Sequence, residues 1–65
     1  MNERVNFDII TKYINDNHLT VKEFCKQCKI SVTTYYKIKH GDEFSLVSLF
    51  KIALKIEKPL EQFYN

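Results

Sequence analysis

Apolar residues recur at steps of three and four along most of the chain. Phe7, Ile10 and Ile14, with Ile9 and Tyr13 beside them, make a broad stripe over residues 4–17 that predicts an amphipathic helix. Thr20 stands in an N-cap position with Glu23 three residues later, the spacing of a capping box. It opens a second helix whose apolar side is Val21, Phe24, Cys25 and Cys28. Ser31 is the next N-cap after a short turn, and Tyr35 and Ile38 share a face behind it. Lys37, Lys39 and His40 form a cationic last turn ahead of Gly41, a residue suited to a left-handed helix stop. Ser45 caps a fourth helix, with Leu46, Leu49, Phe50, Ala53 and Ile56 predicted inward. Pro59 is placed to start a short fifth helix with Leu60 and Phe63 on its inner side. No run alternates apolar and polar residues between turn signals, so the expected class is all-α.

Composition narrows the setting. At 65 residues, with 45% of them hydrophobic, the chain is expected to be one globular domain over residues 1–65, without room for a deep substrate cavity. No apolar run approaches the roughly 20 residues a membrane helix needs. Glu3, Arg4 and Asp8 interrupt the stretch a signal peptide would keep apolar. Two cysteines are too few for a disulfide framework, which favours the reducing cytoplasm.

The net charge of +2 is unevenly distributed. Residues 20–41 hold Lys22, Lys26, Lys29, Lys37 and Lys39 against Glu23 alone, a local balance of +4, while the flanking segments are each at −1. His40 closes the stretch. A positive belt confined to one segment is the footprint of a polyanion partner, or simply a solvated lysine face.

Two helices joined by a turn of about three residues, the second opening with small polar residues, form a helix-turn-helix. Leu19-Thr20-Val21-Lys22-Glu23-Phe24-Cys25, Ile30-Ser31-Val32-Thr33-Thr34-Tyr35 and Ile38-Lys39-His40-Gly41 resemble the Cro/phage-repressor (XRE-type) DNA-binding domains. Ser45 to Ala53 and then Ile56, Leu60 and Phe63 continue the likeness, which spans about residues 10–64. It implies a five-helix domain, helix-turn-helix core at about 20–40, that places its third helix in the DNA major groove. The chain departs from the pattern at several positions. Lys29 and His18 stand where the family commonly has Gly, so Lys29 is expected to take a left-handed conformation. Ile14 and Lys39 replace a frequent Arg–Glu pair, so an apolar contact between the first and third helices is expected instead. Val32 replaces a usual Gln or Arg.

The resemblance assigns base reading to Val32, Thr33, Thr34 and Lys37. Lys37 can donate to guanine O6 or N7, the threonines can bond several base edges, and Val32 can press on a thymine methyl. Phosphate contacts fall on Val21 through its backbone N–H, on Lys22 and on His40, with Asp42 and Glu43 close by and repulsive. Tyr36 projects outward, either to bond a phosphate or as a plain surface tyrosine, while Tyr35 takes a core position. One helix in one groove contacts few base pairs, so a homodimer on a pseudo-palindromic operator is expected. Val47 and Leu54, seven apart on one helix face, are the candidate interface together with Phe63 and Tyr64, although Phe63 equally suits the core.

Cys25 and Cys28 form a C-x-x-C, but only His18 and His40 remain as further soft ligands, at no zinc-site spacing. Buried thiols are the expectation, with no metal and no cofactor. No nucleophile–base set, phosphate loop or paired carboxylate suggests an enzyme or a small-molecule substrate. The expected function is a sequence-specific DNA-binding transcriptional regulator of bacterial or phage type, a small repressor occluding a promoter. The alternative is a protein-interaction module on the same fold, binding a partner regulator or a toxin.

Overall fold

Hydrogen-bonding side chains placed just ahead of apolar runs decide where the helices begin. The computed structural model describes residues 5–64, in which α1 (Phe7–Asp16), α2 (Val21–Cys28), α3 (Val32–His40) and α4 (Leu46–Ile56) are followed by a 3-10 turn at Leu60–Phe63. Glu3 and Arg4, the latter the first position of the predicted stripe, lie outside the described residues. The capping box at α2 is complete: the Glu23 N–H donates to Thr20 Oγ1 at 3.1 Å, and the Thr20 N–H donates to Glu23 Oε1 at 2.8 Å. Ser31 caps α3 by accepting from the Thr34 N–H at 3.0 Å, and Ser45 caps α4 by accepting from the Val47 N–H at 3.2 Å.

The helices stop through left-handed residues. Lys29 ends α2 at φ 62°, Gly41 ends α3 at φ 79° and Glu57 ends α4 at φ 65°, while His18 turns the chain into α2 at φ 55°. Only Gly41 occupies this region without a Cβ penalty. The stop at Lys29 is enforced from both sides, since the Lys29 N–H donates to the Lys26 carbonyl at 3.2 Å and the Ile30 N–H to the Cys25 carbonyl at 3.0 Å. Lys29→Gly is therefore expected to stabilise the domain by about 1 kcal/mol, several degrees in Tm for a chain this short. Paired thermal melts of the two proteins check this, and an unchanged or lowered Tm contradicts it.

The expected fifth helix is a single 3-10 turn. After Pro59 the Leu60–Phe63 segment has only four residues, too few to build an α-helical ladder. Its closure comes from the Gln62 N–H donating to the Pro59 carbonyl at 3.0 Å. The following residue pairs back to the start of the chain. Val5 and Tyr64 form an isolated antiparallel bridge, and the Asn6 N–H donates to the Phe63 carbonyl at 2.6 Å. Apart from that bridge no β-structure occurs among the described residues.

One core joins all the elements. Ile10 and Ile14 of α1, Phe24, Cys25 and Cys28 of α2, and Tyr35 and Ile38 of α3 are buried with Leu49, Ile52 and Ala53 of α4 and with Phe63. The α1 stripe and the inner sides of α2 and α3 match the sequence reading. The α4 face does not. Leu46 and Phe50, expected inward, are 57% and 51% exposed, whereas Ile52 is fully buried. The packed stripe is Leu49, Ile52, Ala53 and half-buried Ile56, so the helix is rotated from the expected face.

Phe63 likewise leaves the predicted interface. It is 0% exposed, closing the core under α4, and cannot meet a partner while the domain is folded. Tyr64 is half-buried and held against Val5. Val47 and Leu54, in contrast, are among the most exposed large apolar side chains described. Between α1 and α3 the expected apolar contact exists, but Phe7 and Tyr35 make it, with ring centroids 5.1 Å apart, edge to face.

Candidate nucleic-acid interface

α3 is held to the core by its inner side and shows a polar, cationic outer side. Tyr35 and Ile38 anchor it, each 3% exposed. Thr33, Tyr36, Lys37 and His40 are all exposed and stand at positions one, four, five and eight of one helical face. Val32, exposed at the first turn, borders that face. Three of the four expected base-reading residues, Val32, Thr33 and Lys37, thus come together at an accessible surface. Thr34 stands apart. It is half-buried, and its Oγ1 accepts from the Ser31 hydroxyl at 2.9 Å, so part of its hydrogen-bonding capacity serves the helix cap.

The outer face carries an aromatic arrangement that the sequence reading did not anticipate. The Tyr36 ring stacks on the His40 imidazole, with centroids 6.1 Å apart and planes 19° from parallel. Lys39 Nζ lies 5.8 Å from the Tyr36 ring centroid, within cation–π range. Behind it, Tyr35 meets Tyr36 edge to face at 5.1 Å. Tyr36 is fixed by three neighbours and presents its hydroxyl from a defined position. The signal was available, because residues four apart on a helix lie one above the other.

At the start of α2, the capping box satisfies the Thr20 and Glu23 N–H groups. The Phe24 N–H donates to the Thr20 carbonyl at 3.0 Å. The Val21 and Lys22 N–H groups of that first turn therefore point out of the helix end, where a phosphate oxygen could accept from them. Lys22 is exposed beside them. The Glu23 carboxylate sits on the same turn, engaged with the Thr20 N–H.

The five lysines of the belt, Lys22, Lys26, Lys29, Lys37 and Lys39, are all exposed. Lys51 on α4 adds a contact not foreseen from the sequence, donating to the Lys29 carbonyl at 3.4 Å. It links α4 to the turn of the helix-turn-helix and places a cation at the C-terminal end of α2. Asp42 and Glu43, just beyond α3, are exposed and of the opposite sign.

The cysteines are buried free thiols on the inner side of α2. Burial pushes Cys25 above its ordinary value. Cys28 is pushed up to about 11, by burial first and by neighbouring Cys25 second, against a smaller lowering by Lys55. Both are poor thiolate nucleophiles at neutral pH. Tyr35 is also raised, chiefly by burial. Among the described residues no three His, Cys, Asp or Glu side chains gather at one point.

No curated protein matches the chain. A crystal structure of the transcriptional regulator VanUg superposes with a TM-score of 0.74 at 18% identity, covering 100% of this chain and 87% of that one. This likeness is one of fold. The sequence is matched over residues 1–62 by the model of the Mga helix-turn-helix domain. The helix-turn-helix part of the sequence resemblance thus finds a match. With α2, the Lys29 turn and α3 all inside the matched region, the chain belongs to the Mga helix-turn-helix domain family.

Proposed function

We propose that this domain is a sequence-specific transcriptional regulator of Cro/phage-repressor type, inserting α3 into the major groove of duplex DNA. Membership of a helix-turn-helix family and likeness in fold to a transcriptional regulator support a DNA-binding regulator. The observation that carries the reading is the outer face of α3. Thr33, Tyr36, Lys37 and His40 share it, behind a short turn, within a segment of five exposed lysines.

Val32, Thr33 and Lys37 read base edges, with Thr34 contributing through its remaining O–H, while Lys22, Tyr36, His40 and the Val21 N–H hold phosphates. The bound form is a homodimer on a pseudo-palindromic operator, its half-sites about one helical turn apart, near 34 Å. Repression follows from occlusion of the promoter. Selection of duplexes from a random pool tests the reading, and enrichment of an inverted repeat is the expected result. Absence of any enriched duplex, with no binding at low salt, favours the other reading, in which the domain docks a partner regulator or toxin. The exposed apolar side of α4 is what would favour that alternative.

Within the proposed site the residues divide by task. Lys37→Ala and Thr33→Ala are each expected to cost roughly 1–3 kcal/mol on the selected sequence and less on random duplex. Lys22→Ala is expected to weaken both about equally, because a phosphate contact carries no base information. Titrations on the two duplexes separate these outcomes. Equal losses on both DNAs for Lys37 and Thr33 would remove them from base reading.

A further inference from the structure

We propose that the outer face of α4 is a two-fold contact with a second copy of the chain, the two α4 helices running antiparallel with the axis at Phe50. The inference deepens the homodimer of the DNA-binding reading and rests on it. Leu46, Val47, Phe50 and Leu54 are 57%, 61%, 51% and 62% exposed and share one side of the helix, turned away from the packed stripe of Leu49, Ile52 and Ala53, with Leu46 at its border. Four large apolar side chains clustered on one side of one helix form a contiguous patch rather than scattered surface apolars.

The pattern along the patch matches a copy of itself. Leu46 and Leu54 each stand four residues from Phe50, so a two-fold axis at Phe50 sets Leu46 of one protomer against Leu54 of the other. An isologous contact requires that self-complementarity, whereas an unrelated partner would not. The charges agree with the same direction. Asp42 and Glu43 precede α4, whereas Lys51, Lys55 and Lys58 outnumber Glu57 and Glu61 in its second half and beyond, Lys51 being already engaged with the Lys29 carbonyl. Antiparallel packing with the axis at Phe50 sets Asp42 of each copy opposite Lys58 of the other, with Glu43 meeting Glu57, and opposes the two helix dipoles. One helix pair buries less than the 1,200 Å² or so of a standard stable interface, so the dimer is weak in solution and gains from two adjacent half-sites.

Sedimentation of the whole protein, free and on a duplex carrying two inverted half-sites, tests the proposal. The wild type is expected to show a monomer–dimer equilibrium that shifts to two copies per duplex on DNA. Phe50→Glu places like charges across the axis and is expected to raise the dimer dissociation constant by about tenfold or more, with unchanged circular dichroism. Leu54→Glu, away from the axis, serves as the second variant should Phe50→Glu lose its fold. Asp42→Lys is expected to weaken association, and adding Lys58→Asp to restore part of it. Folded Phe50→Glu or Leu54→Glu protein that associates like wild type overturns the proposal. So does a wild type that stays monomeric both free and on DNA, which leaves the face for a different protein. The DNA reading fails separately: a wild-type dimer that the α4 variants disrupt, but that binds no duplex, supports this contact and overturns that reading. Conversely, Phe50→Glu should still bind a duplex with a single half-site, since Phe50 lies off the α3 surface.

Discussion

Raising the salt from about 50 to about 200 mM is expected to weaken the protein–duplex complex by roughly 10³. The expectation comes from the exposed lysines of the belt, Lys22, Lys26, Lys29, Lys37 and Lys39, gathered on the helix-turn-helix. If about three of them neutralise phosphates in each protomer, a dimer releases about six counterions, and the log–log slope is near −5. Contacts made by apolar surface behave differently, because salt does not screen them. The slope thus separates a DNA complex held by this belt from a protein complex held by the α4 face. If Lys22 holds a phosphate in each protomer of the proposed dimer, Lys22→Ala is expected to make the slope shallower by about 2. Filter binding or fluorescence anisotropy at four or more salt concentrations provides the measurement. A slope indistinguishable from zero would sink the electrostatic account of the interface.

What could be read from the sequence was the chemistry that acts locally. Thr20 with Glu23, Ser31 and Ser45 cap helices through groups two or three residues away, and these bonds depend on nothing distant. Gly41 and Lys29 stop helices through left-handed backbone that the turn itself requires. The inner positions Phe24 and Tyr35 followed from helical spacing. The α4 face was not legible by the same means. Eight of its eleven residues are apolar, so several stripes at steps of three and four fit equally well. Which stripe packs is decided by tertiary contacts with α2, distant in sequence, and with the closing 3-10 turn. Glu57 gave no warning of its left-handed turn, because nothing in its side chain favours one. The Val5–Tyr64 bridge joins the two ends of the described chain, beyond the reach of any local pattern.

The site divides along the same line. Thr33, Lys37 and His40 were placed on α3 by the resemblance, and the helix brings them onto one face. The stacking of Tyr36 on His40 was readable as a spacing of four but carries no meaning until the face is known to be exposed. Lys51 reaching the Lys29 carbonyl spans twenty-two positions and needed the fold. Phe63 was ambiguous in sequence because an aromatic near a chain end suits a core and an interface alike. Its complete burial resolves the choice, and the exposed apolar surface falls to α4 instead.

Phe24→Ala is expected to destabilise the domain by about 3–5 kcal/mol, enough to leave it largely unfolded at physiological temperature. Phe24 is 0% exposed and belongs to the set of largest fully buried side chains. Its ring meets Tyr13 of α1 at 5.8 Å and Tyr35 of α3 at 6.3 Å, the latter edge to face. Truncation therefore removes both the buried ring and one partner from each of two aromatic pairs that tie α1 and α3 to α2. A chain of this size has a total stability of only about 3–10 kcal/mol, on the usual allowance per residue, so there is little reserve against the loss. The consequence reaches the DNA surface without any contact to DNA. Tyr35 is supported by Phe24 and by Phe7, and Tyr36 rests in turn on Tyr35 at 5.1 Å. With the inner ring gone, α3 loses the anchor that orients Thr33 and Lys37, and duplex binding should fall with the folded fraction. Phe24→Leu keeps most of the apolar volume and is expected to cost less than Phe24→Ala while retaining binding. Urea titrations followed by circular dichroism give the stabilities, and anisotropy on the selected duplex gives the binding. A loss below about 1 kcal/mol for Phe24→Ala would show that the site collapses around the vacancy and that Phe24 does not hold the three helices together.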